Sequence, residues 1–295
     1  MQEGGFFSLK TELPRSDWDF YWSGIHLPDG MKERVLGLIL GEFLLSGLSR
    51  ELGLHRLIIF VGPPGTGKTS LARGACNEAA KRLGGRCIFL ELDMGRIYSW
   101  RFGESIQLVS AAFRRVQELT SAGYRVFCLL DEVEALFTKR SLTLSEANPV
   151  DAFRAVDEAI RSLDRLSGSA LFIATSNFEN AIDEALLDRA DAVLHFPLPD
   201  RRAREAILRE VIGSLNSKLN TGIEAEGKAF TRLVEATEGF SGRQLRKLPL
   251  EALCDPRAAN DGTGLSLDGL LRAAMRMRRS LSDCNGRRGR KRGKR

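Results

Sequence analysis

The stretch Gly62-Pro63-Pro64-Gly65-Thr66-Gly67-Lys68-Thr69-Ser70 holds the residues whose types and spacing promise the most chemistry. It follows an apolar run, Leu57 to Val61, that reads as a buried strand. It precedes residues 70–82, where Leu71, Ala75 and Ala79 recur at helical spacing. Strand, glycine loop and helix is the setting in which the pattern G-x-x-x-x-G-K-[ST] becomes a phosphate-binding loop. The glycines let backbone N–H groups converge on a β-phosphate, and the helix N-terminus adds partial positive charge at the same point. In that setting Lys68 contacts the β/γ-phosphates and the Thr69 hydroxyl ligates Mg²⁺.

Four further constellations have the polarity that nucleotide chemistry needs. Val126 to Leu130 is an apolar strand ending in Asp131-Glu132. At the tip of a parallel strand beside a phosphate loop, Asp131 would hold Mg²⁺ while Glu132 polarises the attacking water. Leu171 to Ser176 ends in Asn177, suited either to orient that water and the γ-phosphate or to supply turn geometry. Arg189, in Asp188-Arg189-Ala190-Asp191, could act in trans on a neighbour's phosphate or pair with Asp188 or Asp191. Arg243 follows Ser241, a plausible N-cap, and a cation in a helix's first turn opposes the dipole, which suggests a γ-phosphate as its partner. Lastly, Trp100-Arg101-Phe102 sits in a polar loop after the second predicted strand, either as a grip on an extended polypeptide or as a local aromatic cluster.

These residues need elements to carry them. Apolar runs predict five strands at 57–61, 87–92, 124–130, 170–175 and 192–196, alternating with helices at 31–46, 70–82, 104–121 and 150–166. Alternation of this kind implies an α/β fold with a parallel, doubly wound, five-stranded sheet. Beyond Pro199 only helical patterns follow, at 201–216, 230–238, 242–253 and 266–281. The predicted organisation is a tether over 1–24, an α/β domain over 25–199, a smaller all-helical lid over 200–283 and a basic disordered tail over 284–295.

Composition narrows the setting. The net charge is +6, yet seven basic residues fall within 287–295 with no acid among them, so the rest is close to neutral. That tail motivates an alternative reading, a nucleic-acid motor or loader, but it has no interleaved aromatic for base stacking. Nucleic acid is therefore not the expected partner. Five cysteines without a C-x-x-C pair suggest reduced thiols in a cytoplasmic protein and no metal site beyond nucleotide-bound Mg²⁺. The apolar run Val35 to Leu48, interrupted by Glu42, is too short to span a bilayer and reads as a core-facing helix.

With those residues in view, the chain resembles an AAA+ ATPase, and within that superfamily the pachytene-checkpoint / thyroid-receptor-interactor family of HORMA-domain remodellers. The resemblance runs from Trp18 to Leu281. It is carried by the phosphate loop, Leu130-Asp131-Glu132-Val133-Glu134, Thr175-Ser176-Asn177, residues 150–156, Asp188-Arg189-Ala190-Asp191, and Ser241-Gly242-Arg243-Gln244 onward to Pro249. It implies a P-loop NTPase fold, a homo-hexamer with ATP sites between subunits, sensor roles for Asn177 and Arg243, and a trans-acting role for Arg189. It also places Ile25 beside the nucleotide and makes Trp100, Arg101 and Phe102 a central-pore loop that pulls a HORMA-domain client. Where the family has an aromatic pair, this chain has Arg101-Phe102, with Trp100 one place earlier. The short form resembles bacterial relatives that keep a cyclic-oligonucleotide synthase and its anti-phage (CBASS) signalling in check.

Overall fold

The computed structural model describes residues 6–97, 104–135, 149–166, 168–255 and 265–292. Six strands form one sheet: β1 (Phe7–Leu13), β2 (Leu57–Val61), β3 (Cys87–Leu92), β4 (Arg125–Leu130), β5 (Ala170–Ser176) and β6 (Ala192–His195). Their order is β1-β3-β4-β5-β2-β6. From β2 to β6 all pairings are parallel. Every residue of β2 and β5 is buried, which is why Leu57 to Val61 and Ala170 to Ala174 read as apolar runs instead of alternating patterns. Helices α1 (Met31–Leu44), α2 (Lys68–Leu83), α3 (Glu104–Ser121) and α4 (Pro149–Arg165) cover the sheet. On α3, Val109, Ala112, Phe113, Val116 and Leu119 make the buried stripe, and the Phe113 ring stacks on Phe172 of β5 at 5.1 Å.

The sheet has one strand more than the five predicted. β1 lies within the predicted tether and runs antiparallel to β3, from Phe7 opposite Leu92 to Leu13 opposite Cys87. Half-buried and exposed residues alternate along it, the period-two signature of an edge strand. Three further contacts fasten the segment that follows. Trp18 is buried with its ring edge-on to Phe89, centroids 5.0 Å apart. Asn77 of α2 accepts from Arg15 N at 2.7 Å and donates to Arg15 O at 2.8 Å. Gly74 admits the crossing chain so closely that a Cβ there would lie 2.7 Å from Trp22 N.

The apolar run around α1 divides between two environments. Val35, Leu36 and Ile39 are buried, whereas Leu44 is 83% and Leu48 51% exposed. Glu42 is buried among them. Burial first, and Asp191 second, push its carboxyl up to about 7, with Arg56 pulling the other way. Among the described residues no helix is long and apolar enough to cross a membrane. Cys76, Cys87 and Cys128 are buried free thiols, and burial pushes all three upward.

The chain divides into two compact units, Met1–Ile25 with Asp29–Pro197, and His26–Pro28 with Leu198–Arg295. The second unit is helical: α5 (Arg201–Leu219), α6 (Gly227–Ala236), α7 (Gly242–Leu253) and α8 (Leu267–Arg292). Its core gathers Leu208, Ile212, Phe230, Leu233, Leu245 and Leu248. The Asp200 side chain caps α5 by accepting from Ala203 N at 2.8 Å. α8 ends at Arg292, within the segment 284–295 expected as a basic tail. Arginine and lysine are good helix formers, and cations near a helix C-terminus complement its dipole.

Candidate functional site

The phosphate loop joins β2 to α2, with Gly62, Gly65 and Gly67 at φ values of 153°, 80° and 97°. Those conformations suit glycine, and at two positions space demands it as well. A Cβ on Gly62 would lie 2.2 Å from Phe196 O, and one on Gly67 2.6 Å from Ile25 Cδ1. The second contact places Ile25 against the loop, beside the residues that would hold a nucleotide. Lys68 opens α2 and is only 6% exposed. Its Nζ donates to Gly62 O at 2.7 Å, Pro63 O at 3.1 Å and Asn177 Oδ1 at 3.0 Å. The loop is braced internally by Thr66 Oγ1, which donates to Pro63 O at 2.9 Å.

The sheet order brings the tips of β4 and β5 to this loop. Thr69 Oγ1 donates to Asp131 Oδ1 at 2.7 Å, and Thr175 Oγ1 donates to the same oxygen. A hydroxyl and a carboxylate so close together are the hard oxygen donors Mg²⁺ takes, and Thr69 and Asp131 fit that ion. Among the described residues no cluster of three or more His, Cys, Asp or Glu side chains could cage a metal. An ion here would thus share its shell with nucleotide oxygens and water.

Glu132 adopts φ 56°, the left-handed region that non-glycine residues seldom enter. Its N–H donates to Thr175 Oγ1 at 3.1 Å, so the Thr175 hydroxyl binds Asp131 with its hydrogen and Glu132 with its lone pair. One side chain of β5 therefore sets the turn that exposes Glu132. Asn177 is held in parallel fashion: its backbone N and Nδ2 both donate to Glu134 Oε1 at 3.1 Å, while its Oδ1 accepts from Lys68. Of these residues, Lys68, Thr69, Asp131, Glu132 and Asn177 converge as the sequence predicts. The orienting parts taken by Thr175 and Glu134 have no counterpart in the sequence reading: both lie in stretches that carry the family resemblance, but neither has a role assigned there.

Arg189 makes its contacts elsewhere in the first unit. Arg189 pairs with Asp164 of α4, Nε to Oδ1 at 2.9 Å and Nη2 to Oδ2 at 3.1 Å. Asp191, one of the two acids expected beside it, accepts instead from His55 N and Leu57 N at 3.0 and 2.9 Å, stapling the start of β2. Arg243 is exposed in the first turn of α7 on the second unit. Ser241 caps that helix through a reciprocal box with Gln244. Trp100, Arg101 and Phe102 lie outside the described residues.

Comparison with known proteins bears on this geometry. A model of the ATPase family associated with various cellular activities (AAA) matches residues 58–198. CD-NTase-associated protein 6 of Pseudomonas aeruginosa is 35% identical over 92% of this chain and 91% of its own length. The chain belongs to the AAA ATPase family. It is also similar to pachytene-checkpoint proteins: the Pachytene checkpoint protein 2 homolog of Arabidopsis thaliana is 32% identical over 83% of this chain. This AAA ATPase spans 61% of that plant relative. Its fold matches a chain of the E. coli MS115-1 HORMA:CdnC:Trip13 complex with a TM-score of 0.74, at 23% identity, covering 91% of this chain and 94% of that one. Membership in the AAA ATPase family implies ATP binding, and the loop between β2 and α2 is the candidate place for it.

Proposed function

We propose that this AAA ATPase is a homo-hexameric remodeller that grips a HORMA-domain protein through its central pore and takes the client's closed complex apart. In doing so it would restrain a cyclic-oligonucleotide synthase and the anti-phage signalling that depends on it. The observation that carries the reading is the match along nearly the whole chain to a bacterial protein named for its association with a CD-NTase. The fold shared with a chain of the E. coli MS115-1 HORMA:CdnC:Trip13 complex supports the choice of client.

The chemistry assigned to each residue follows from its place. The loop from Gly62 to Ser70 offers backbone N–H groups and a helix N-terminus to the ATP phosphates, and Ile25 flanks it. Lys68 gives up its carbonyl partners for phosphate oxygens, which bind an ammonium more strongly because they are charged. Thr69 and Asp131 hold Mg²⁺, which neutralises charge on the phosphates. Glu132, turned outward by Thr175, accepts a proton from the attacking water. Asn177 orients that water from a position fixed by Glu134. Arg189 serves the neighbouring subunit's phosphate and Arg243 senses the γ-phosphate. Trp100, Arg101 and Phe102 contact the client.

A Glu132→Gln variant tests the proposal, because it binds ATP but stalls the water. Mixed with ATP and a HORMA-domain protein from the same genome, it should form a six-subunit ring that retains the client on size exclusion. A protein that stays monomeric at saturating ATP, or a ring that retains no HORMA protein, refutes it.

A further inference from the structure

The bond between Arg189 and Asp164 is of a particular kind. The guanidinium presents Nε and Nη2 to the two oxygens of one carboxylate, a bidentate fork, and its Nη1 donates to Ala185 O at 3.1 Å. The Asp164 partner holds the arginine firmly protonated, and the arginine holds the Asp164 carboxyl below its ordinary range. Yet the pair is not sealed in. The two side chains are 28% and 37% exposed and stand in the wall of an open cavity of about 470 Å³, shared with Arg50, His55 and Arg56. His55 Nδ1 lies 3.4 Å from Asp164 Oδ1, a second nitrogen within reach of the same carboxylate.

An arginine that must stabilise charge on another protomer's nucleotide has two opposed requirements. It must be held in a defined place, since a loose long side chain loses rotamer entropy on binding. It must also be able to leave, since a buried ion pair would not open. A partly exposed bidentate pair meets both, because it biases the side chain only about two- to five-fold. A nucleotide phosphate, with more charge than one carboxylate, outcompetes it. We propose that Asp164 is a latch: it stores Arg189 in the unassembled chain and releases it to the adjacent subunit's nucleotide on ring closure, with His55 left to meet the vacated carboxylate. The step exchanges hydrogen-bond acceptors and moves no proton or covalent bond. It rests on Arg189 acting in trans, and makes Asp164 a positioning residue whose effect is felt through Arg189 alone.

The test is assembly of the full chain, followed by mass photometry across a dilution series with Mg²⁺ and a non-hydrolysable ATP analogue, together with ATP turnover per subunit at a concentration where assembly is complete. Asp164→Asn keeps the side-chain volume and removes the charge. Its assembly midpoint should fall about two- to five-fold below that of the natural chain, with the same plateau turnover. Introduced into Arg189→Ala, the same change should leave the midpoint unmoved. A lower plateau in Asp164→Asn overturns the latch, because Asp164 would then be holding the working pose. An unmoved midpoint, or a shift that persists without Arg189, overturns it as well. Full turnover in Arg189→Ala alone has a separate meaning: it removes the trans role and leaves the ion pair a surface contact.

Discussion

Glu42 makes a quantitative prediction about stability. Its carboxyl is pushed from an ordinary 4.5 up to about 7 by burial on α1 and by Asp191, with Arg56 opposing. A raised acid binds more protons in the folded chain than in the unfolded one between those two values. Stability therefore falls as pH rises from about 4.5 to about 7 and is level above that. Each tenfold change in proton affinity is worth about 1.4 kcal/mol, so the ionised carboxylate costs about 3 kcal/mol at pH 8. Glu42→Gln removes the charge and keeps the shape. It should be more stable than the natural chain at pH 8 by up to about 3 kcal/mol, and the difference should shrink to under about 1 kcal/mol at pH 5 and vanish below about pH 4. With about 2–4 °C of melting temperature per kcal/mol in a chain of this size, the gain is readable by scanning fluorimetry between about pH 4 and 8.5. Parallel melting curves for the two proteins across that range would refute the reasoning, because Glu42 would then not be the group that titrates.

Two further substitutions probe the site. Gly62→Ala brings a Cβ to within 2.2 Å of Phe196 O in a conformation that favours glycine, so the loop must shift; titration calorimetry should find ATP affinity reduced at least about tenfold. Thr175→Val takes away the hydroxyl shared by Asp131 and the Glu132 amide, leaving that amide without its acceptor. It should lower turnover more than it raises KM, and cost about 1–3 kcal/mol in stability, whereas Thr175→Ser should restore both.

Much of the fold is open to reading because parallel strands buried on both faces must be apolar throughout. Leu57 to Val61 and Ala170 to Ala174 announce themselves in that way. The Lys68, Thr69 and Asp131 grouping is equally legible, since phosphate chemistry constrains both the residue types and their spacing. β1 is not, because alternation over seven mixed residues is a weak signal and its partner β3 lies far along the chain. Arg189 stands out in the sequence, but its partner cannot be found by proximity: Asp188 and Asp191 are near in sequence, while Asp164 is near in space. The bond that turns Glu132 outward is likewise invisible, as a threonine ending a strand has ample reason to be there for β propensity alone.

The pairing of β1 with β3 has a consequence for how the chain is born. β3 emerges from the ribosome roughly 75 residues after β1, which at about 5–20 residues per second leaves the first strand without its hydrogen-bonding mate for several seconds. Through that interval Phe7 and Leu9 are sticky material on a nascent polypeptide, open to chaperones or to stray edges of other molecules. Slowing translation between Leu13 and Cys87 would prolong the exposure, so synonymous codon choice in that window becomes a practical handle on soluble yield.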